Sequence, residues 1–276
     1  MKLIRRLQFV APQDSPWLRV AWLVLLPMLW CYAFSLQATE SNAVLSVKAP
    51  AATDIVSYLK WGEGTKVLLV GGGSSHDFQK WFDRADGATL SAAGKYSVYY
   101  TESSATASKA LAEADVLVLS TNQKDFDTPE LRSALMTFAD SGKGIVLLHP
   151  AVWYNWPWPE YNARLVGGGS RAHEPIGEFA ISVLKQHPVT RGLPPRFMVT
   201  DELYHVAFDP NGAATEVLAQ TSLAKGTQQT YPSVWIVKHP RARIVAIAPG
   251  HDGRVHELPE FKLLLGNSVA WAAGGK

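Results

Sequence analysis

Runs rich in apolar residues alternate with amphipathic stretches of helical length along residues 66–148. The apolar runs have the length of buried strands and are bounded by Gly or polar residues; they cover 67–70, 96–100, 115–119 and 145–148. The stretches between them predict helices over 78–90, 105–112 and 128–139, the last with Thr128 as N-cap and a proline after it. Continuous apolar strands separated by helices are typical of a parallel sheet that is covered on both faces.

The second half of the chain has a looser pattern. Further strands are predicted over 179–184, 217–219, 233–237 and 244–247, and a closing helix over 261–271. Together the two halves predict an α/β fold, a three-layer sandwich with a mainly parallel central sheet. Ligands of such sheets bind beyond the carboxyl ends of the strands, so polar residues that follow strands are the candidates for a site.

The first 38 residues form a different kind of segment. Four basic side chains come before a nearly uncharged stretch over 20–36, which contains the small residues Ala33 and Ser35 near its end. This order of charged, apolar and small residues is that of an export signal. We therefore expect 1–38 to be a signal peptide that is removed, and the protein to be periplasmic or secreted. The alternative is a membrane anchor formed by 20–36.

The composition is that of a globular protein, with 47% hydrophobic and 18% charged residues, which excludes a disordered chain or a coiled coil. We expect 39–64 to be a linker and 65–276 to be one domain.

The part after residue 38 is close to neutral, with 22 basic and 23 acidic residues, so we expect no nucleic-acid partner. Any membrane association is expected to be a transient contact through the N-terminus. Cys31 is the only cysteine and lies in the apolar segment, so the exported part has no thiolate or disulfide chemistry.

Three histidines follow predicted strands. His76 lies after the first strand, His149 ends the fourth, and His251 follows the strand at 244–247. A single histidine in such a position is most often a loop residue or a buried structural histidine. The carboxyl ends of parallel strands meet at one edge of the sheet, however, so we expect the three imidazoles to line one pocket.

Two runs of three glycines lie close to histidines. The run at 71–73 lacks the further Gly of a dinucleotide loop and the Gly-Lys-Ser/Thr of a nucleotide loop, so it predicts a tight turn and no nucleotide cofactor. The run at 167–169 precedes His173 and is either a flexible lid or a plain loop. His173 is therefore a candidate fourth member of the histidine group.

Two further clusters are open to a structural or a functional interpretation. Residues 201–205 bring together two carboxylates, a phenol and an imidazole, either as a solvated edge or as a site in which Glu202 and Tyr204 share the face opposite to Leu203. The tryptophan-rich loop at 153–159 forms either a hydrophobic plug or a platform for a sugar, because flat aromatic rings stack on the apolar faces of pyranoses.

Six motifs, in this order along the chain, resemble those of the ThuA-like (trehalose utilisation) family. They are 73–77 (GSSHD), 142–149 (GKGIVLLH), 166–173 (VGGGSRAH), 187–194 (HPVTRGLP), 201–204 (DELY) and 250–252 (GHD). The resemblance covers about 66–273 and implies the fold of class I glutamine amidotransferases, which is flavodoxin-like. His149 stands where that superfamily has its strand-end cysteine nucleophile, so amidotransferase chemistry by the usual thiolate is excluded.

The resemblance also implies a function in carbohydrate utilisation, with a small-molecule carbohydrate as partner and oxidised (3-keto) disaccharides as substrates. It further implies a divalent metal, zinc or similar, held by the histidines at the rim. The candidate catalytic residues are His76, His149, Glu202 and His251, of which the three histidines are also the candidate metal ligands. The candidate substrate-binding residues are Asp77, Trp153, His173, Tyr204 and Asp252.

Three functions are consistent with these residues. The first is an enzyme that removes a proton next to the carbonyl of a keto-sugar or keto-glycoside, because imidazole with a carboxylate or a metal supplies both the base and the stabilisation of the enediolate. The second is a non-catalytic carbohydrate-binding module. The third is a metal-dependent hydrolase in which His and Glu hold zinc and activate water.

Overall fold

The computed structural model describes residues 60–121, 126–222 and 229–274. The segment predicted to be a signal peptide or anchor, 1–38, and most of the predicted linker lie outside the described residues. Within the three described ranges, none of the helices combines the length and the apolar character needed to cross a membrane.

The described residues form eleven strands and six α-helices. The strands are β1 (Thr65–Val70), β2 (Tyr96–Thr101), β3 (Val116–Leu119), β4 (Gly144–Leu148), β5 (Gly168–His173), β6 (Gly177–Val183), β7 (Arg196–Asp201), β8 (Tyr204–Phe208), β9 (Thr215–Thr221), β10 (Pro232–Val237) and β11 (Ile244–Ile247). The α-helices are α1 (Gly87–Ser91), α2 (Ser104–Ala110), α3 (Pro129–Asp140), α4 (Pro159–Tyr161), α5 (Gly253–His256) and α6 (Pro259–Ala272). Two segments are π-helical, Gln79–Asp86 and Asn162–Val166. Two others are 3-10 turns, His149–Val152 and Pro188–Thr190.

Nine strands form a central mixed sheet in the order β2-β1-β3-β4-β11-β10-β9-β6-β7. The first five strands in this order are parallel to one another. The other four extend the sheet by antiparallel pairing, and since each such pairing reverses direction, seven of the nine strands point the same way. β5 and β8 pair separately as an antiparallel ribbon. The predicted α/β fold with a mainly parallel sheet is confirmed.

Two hydrophobic cores lie on the two faces of the sheet. In β1, Leu68 and Val70 face a core that includes side chains of α2 and α3. Val67 and Leu69 face the other core, which includes side chains of the Gln79–Asp86 segment and of α6. Because successive strand residues point to opposite faces, a strand covered on both faces has to be apolar throughout. This explains the continuous apolar runs of the sequence and the three layers.

Local signals of the sequence are confirmed at a helix start and at a turn. The side chain of Thr128 caps α3 and accepts a hydrogen bond from the backbone N–H of Leu131 at 3.3 Å. The glycine run at 71–73 forms the predicted tight turn after β1, with φ of +116° at Gly72 and +114° at Gly73. The turn leads directly into the loop that carries the first candidate histidine.

The prediction of a loop or lid at the second glycine run, 167–169, is wrong, because Gly168–His173 forms β5. A Cβ atom at Gly168 would lie 2.2 Å from the carbonyl oxygen of Ala207 on β8, so the two strands approach too closely for a side chain at this position. A run of glycines has none of the β-branched or aromatic residues that signal a strand. Strands β7 and β8, like β5, were not predicted from the sequence.

The described end of the predicted linker lies against the sheet. The ring centroids of Trp61 and Tyr99 are 6.0 Å apart, and the backbone N–H of Gly62 donates a hydrogen bond to Ser97 Oγ at 2.7 Å. Both contacts are with β2, which is an edge strand of the central sheet.

Candidate active site

The three strand-end histidines lie around one cleft. His76 follows β1, His149 follows β4 and His251 follows β11, so all three are at the carboxyl edge of parallel strands. The ring centroid of His76 is 4.9 Å from that of His149 and 4.7 Å from that of His251. The His149 and His251 centroids are 5.6 Å apart. The structure thus brings the three imidazoles together, with His76 and His251 in the lining of the cleft and His149 fully buried behind them.

His149 has an unusual backbone conformation at the end of β4. Its φ is +34°, and among the described non-glycine residues no other φ is positive. Nδ1 lies 2.6 Å from the carbonyl oxygen of Ala248, so we assign the proton to Nδ1, which donates to this oxygen. Nε2 then carries the lone pair and lies 3.2 Å from the Tyr204 hydroxyl. Strained backbone of this kind at a strand-to-helix turn is typical of functional sites.

Glu202 connects the histidines through its carboxylate. Oε2 lies 3.3 Å from His251 Nδ1 and 3.5 Å from His149 Nε2. Oε1 lies 3.6 Å from His173 Nδ1, so His173 joins the group as the fourth histidine. Glu202 sits in the short link between β7 and β8, and these strands bring it to the histidines across the cleft.

The cleft around these residues has a volume of about 250 Å³. Its lining residues are Ser75, His76, Pro150, Trp153, His173, Glu202, Tyr204 and His251. Glu202 and Tyr204 face the cleft together while Leu203 between them is buried, as predicted for an extended segment. The rings of Trp153 and His173, with centroids 5.7 Å apart, form one wall.

Two candidate substrate-binding residues lie outside this lining. Asp77 Oδ1 accepts a hydrogen bond from the backbone N–H of Lys80 at 3.1 Å. Asp252 caps α5 by accepting from the backbone N–H of Arg254 at 2.9 Å, and it pairs with the guanidinium of the same residue. Both carboxylates therefore stabilise the start of a helical segment, which is a common function of Asp at this position.

Burial and mutual contacts determine the charges of the cluster. Burial lowers the pKa of His76 to about 3, and the neighbouring His149 and His251 act in the same direction, so this imidazole is neutral. The hydrogen bond to Glu202 raises the pKa of His251. Burial raises the pKa of Glu202, but its contacts with His149 and His251 outweigh this and hold the pKa well below its usual range. The carboxylate is therefore ionised.

Asp201 holds the loop that carries His251. Its carboxylate is 1% exposed and accepts hydrogen bonds from the backbone N–H groups of Gly250 at 2.7 Å and His251 at 3.1 Å. Burial raises the pKa of Asp201, against the opposing effects of His149 and of these hydrogen bonds. Sequence reasoning grouped Asp201 with a charge cluster and missed this function, because its partners lie 49 and 50 residues away.

A buried ion pair lies beneath the same loop. His256 Nδ1 is 2.7 Å from Asp86 Oδ1, and His256 Nε2 is 3.0 Å from the carbonyl oxygen of Gly250. Because both ring nitrogens face oxygen atoms, we assign a proton to each and a positive charge to the imidazole. Burial also raises the pKa of Asp86, against the opposing effect of His256. Burial lowers the pKa of His256, but Asp86 outweighs this and raises the pKa above its usual value. The sequence carries no signal for this pair, whose members are 170 residues apart.

Four residues of the cluster have the donor atoms for a divalent metal. One donor atom each from His76, His149, Glu202 and His251 lies within 4.8 Å of the others. His76 Nε2 is buried without a hydrogen-bond partner, and His149 Nδ1 is fixed by a backbone carbonyl, as is usual for metal-bound histidines. Imidazole nitrogens and a carboxylate oxygen are ligands that zinc accepts. The residues present therefore fit such an ion.

Replacing Asp86 by Asn should destabilise the protein more at pH 6 than at pH 9. The raised pKa of His256 means that its protonation stabilises the fold below the unfolded-state pKa of about 6.5, and that this contribution is lost as pH rises through the folded-state pKa. Asp86→Asn removes the negative charge that stabilises the protonated form of His256. The free energy of unfolding at pH 6 should therefore fall by about 3 kcal/mol. Urea unfolding at the two pH values measures the difference.

The matched control is Asp83→Asn, which removes the same charge from a partly exposed position of the same helical segment. It should change the free energy of unfolding by less than about 0.5 kcal/mol at either pH. An equal loss of stability for Asp86→Asn at pH 6 and pH 9 would show that His256 is not charged in the folded protein.

Comparisons with known proteins identify the family and the fold of this chain. Residues 66–272 match the sequence profile of the ThuA family, described as trehalose utilisation. A ThuA-like protein from Parabacteroides merdae is 22% identical, with a TM-score of 0.65 over 78% of this chain and 91% of that chain. A ThuA-like protein from Bacteroides uniformis is 20% identical, with a TM-score of 0.62 over 77% of this chain and 94% of that chain.

A protein from Thermoplasma acidophilum, described as part of a GMP synthase, shares the fold at 15% identity, with a TM-score of 0.50 over 78% of this chain and 96% of that chain. No curated protein matches this chain. The structural neighbours support a fold of the class I glutamine amidotransferase type. Since the family profile matches most of the sequence, from the first strand of the sheet to the last helix, the chain belongs to the ThuA family.

Proposed function

We propose that this chain is an enzyme of carbohydrate utilisation that acts on keto-sugars or keto-glycosides by acid/base chemistry. The convergence of three imidazoles and one carboxylate in an open cleft carries this proposal. Two further observations support a carbohydrate substrate. The family is described by trehalose utilisation, and the aromatic rings of Trp153 and Tyr204 line the same cleft.

His149 is the proposed base. Its Nδ1–H is held by the Ala248 carbonyl, so Nε2 carries the lone pair. The side chain is buried with Nε2 against the Tyr204 hydroxyl, and the lone pair becomes available when that hydroxyl turns to the substrate. Nε2 takes the proton from the carbon next to the substrate carbonyl, and the electrons of that C–H bond move toward the carbonyl oxygen to form an enediolate. Glu202, 3.5 Å from Nε2, stabilises the imidazolium that forms, as a carboxylate does beside other catalytic histidines.

Tyr204 and His251 are the proposed donors to the enediolate oxygen. Both side chains line the cleft, and the Tyr204 hydroxyl lies 3.2 Å from the base nitrogen. Donors that are already in position where negative charge develops lower the barrier without further reorganisation. Isomerisation of a keto-sugar and elimination of its aglycone both begin with this step.

Glu202→Gln should lower turnover of a 3-keto-disaccharide by about 100-fold or more, the scale of one acid/base group. Gln keeps the size and polarity of the side chain but cannot stabilise the imidazolium of His149 by charge. The free energy of unfolding should change by no more than about 1 kcal/mol, because the side chain lies at an open cleft. Steady-state assays and chemical unfolding of the same preparations measure both effects.

Glu178→Gln, an exposed substitution on β6, is the control and should leave turnover unchanged. Unaltered turnover in the Glu202→Gln variant would remove Glu202 from the mechanism. Saturable sugar binding by the wild-type protein with no turnover of any keto-sugar would identify a carbohydrate-binding module instead.

A second candidate function is a metal-dependent hydrolase, which the close grouping of donor atoms favours. His76, His149, His251 and Glu202 would hold the ion, which when bound would supply an activated water. The neutral state of His76 and the ionised state of Glu202 leave the lone pairs of both side chains available as ligands.

Protein purified without a histidine tag should take up about one zinc ion per chain if the cluster is a metal site. His76→Gln should abolish this uptake, whereas His187→Gln should retain it, because His187 caps a 3-10 turn and is not part of the cleft lining. Elemental analysis after dialysis against zinc measures the content. Equal zinc in both variants would place the ion elsewhere, and a zinc-free wild-type protein with keto-sugar turnover would exclude the hydrolase.

We also propose that the chain is exported, because charged, apolar and small residues stand at 1–38 in the order of an export signal. The mature protein is then expected to begin after Ser35. Mass spectrometry of the native protein determines its first residue. A first residue before Val20, in protein recovered from the membrane fraction, would show an anchor instead.

A further inference from the structure

Tyr154, Trp156 and Arg171 form an exposed surface that we call the aromatic platform. The Trp156 side chain is 64% exposed, the largest exposure among the large hydrophobic side chains of the described residues. The ring centroids of Tyr154 and Trp156 are 4.4 Å apart. The guanidinium carbon of Arg171 lies 4.2 Å from the Tyr154 centroid and 5.2 Å from the Trp156 centroid. One side of the indole is thus supported by neighbours and the rest is open to solvent.

The loop that carries the platform is held by several contacts. The backbone N–H of Tyr154 donates to the Ser170 carbonyl at 2.8 Å, and that of Asn155 donates to Asn162 Oδ1 at 2.7 Å. Trp158 is only 7% exposed and anchors the other end of the loop in the core. An aromatic surface fixed in this way loses little conformational entropy when a ligand binds.

Arg171 leaves its donors available. Among the residues that the structure describes, no carboxylate lies within 4.0 Å of its guanidinium, and no acceptor receives a hydrogen bond from it. Two aromatic rings, rather than an ion pair, hold the side chain in place. A fork of N–H donors beside a flat apolar ring suits a ligand that has one apolar face and many oxygen acceptors at its edge.

The platform is continuous with the cleft along two chain segments. Trp153, which lines the cleft, directly precedes Tyr154. His173, on the same wall, follows Arg171 by two residues, which is about 7 Å along an extended chain. A ligand longer than one sugar ring would therefore extend from the cleft toward the platform.

We propose that the aromatic platform binds an outer ring of an oligosaccharide whose reacting ring occupies the cleft; this rests on the proposed function. The apolar face of the outer pyranose stacks on Trp156, and its hydroxyl oxygens accept hydrogen bonds from Arg171. The protein then selects disaccharides or longer sugars over monosaccharides. Of the tryptophan-rich loop, Trp158 belongs to the core, Trp153 to the cleft and Trp156 to this outer subsite.

Isothermal titration of trehalose and of methyl α-glucoside into the wild-type protein and into Trp156→Ala tests the proposal. The substitution should weaken trehalose binding by about tenfold or more and change methyl glucoside binding by less than about twofold, because the one-ring ligand does not reach the platform. Trp153→Ala, in the cleft wall, should weaken binding of both ligands. Leu184→Ala, which truncates another exposed apolar side chain, 49% exposed, is the control and should affect neither ligand.

Each contrary outcome overturns the inference in a recognisable way. Unchanged trehalose affinity in Trp156→Ala, with binding still sensitive to Trp153→Ala, would refute the outer subsite and leave the proposed cleft function in place. Equal weakening of both ligands by Trp156→Ala would mean that the residue acts through the shape of the cleft loop. A wild-type protein that binds neither sugar would refute the outer subsite, and turnover of a 3-keto-disaccharide by the same preparation would leave the proposed cleft function in place.

Discussion

The position of the histidine cluster depends on one buried carboxylate. Asp201 ends β7 at the antiparallel edge of the sheet, yet its oxygens accept the backbone N–H groups of Gly250 and His251 in the loop after β11. A buried carboxylate is tolerated only when its oxygens are satisfied, so these bonds restrict the loop to one arrangement. The next residue, Glu202, contacts three histidines from the same segment. One constraint thus places residues on both sides of the cleft.

The loop is held from below as well as from the side. Asp201 binds the N–H of Gly250, and the charged His256 binds its carbonyl, with Asp86 as the counter-ion. Gly250 has a φ of +143°, and a Cβ atom there would lie 3.2 Å from the Cβ of His149. Glycine is therefore required where the loop passes His149. Support of this kind keeps reacting groups in position, which acid/base chemistry needs.

The fold is of the class I glutamine amidotransferase type, and the residue at the end of β4 is a histidine. The strained turn after β4 presents the imidazole of His149, and no residue after Cys31 is a cysteine. An imidazole paired with a carboxylate accepts a proton rather than forming a thioester. The shared fold therefore supplies the position of the site, and the residues at that position determine what it does.

The sequence by itself determined that β1 to β4 form a parallel sheet and that His76, His149 and His251 lie close together at its carboxyl edge. Continuous apolar runs are required of strands buried on both faces, and the carboxyl ends of parallel strands share one edge. Only the tertiary structure decided how the second half completes the site. The strand at the second glycine run, the hydrogen bonds of Asp201 and the pairing of Asp86 with His256 are contacts between distant segments. Such contacts depend on sheet order and strand register, which local patterns of apolar and polar residues do not contain.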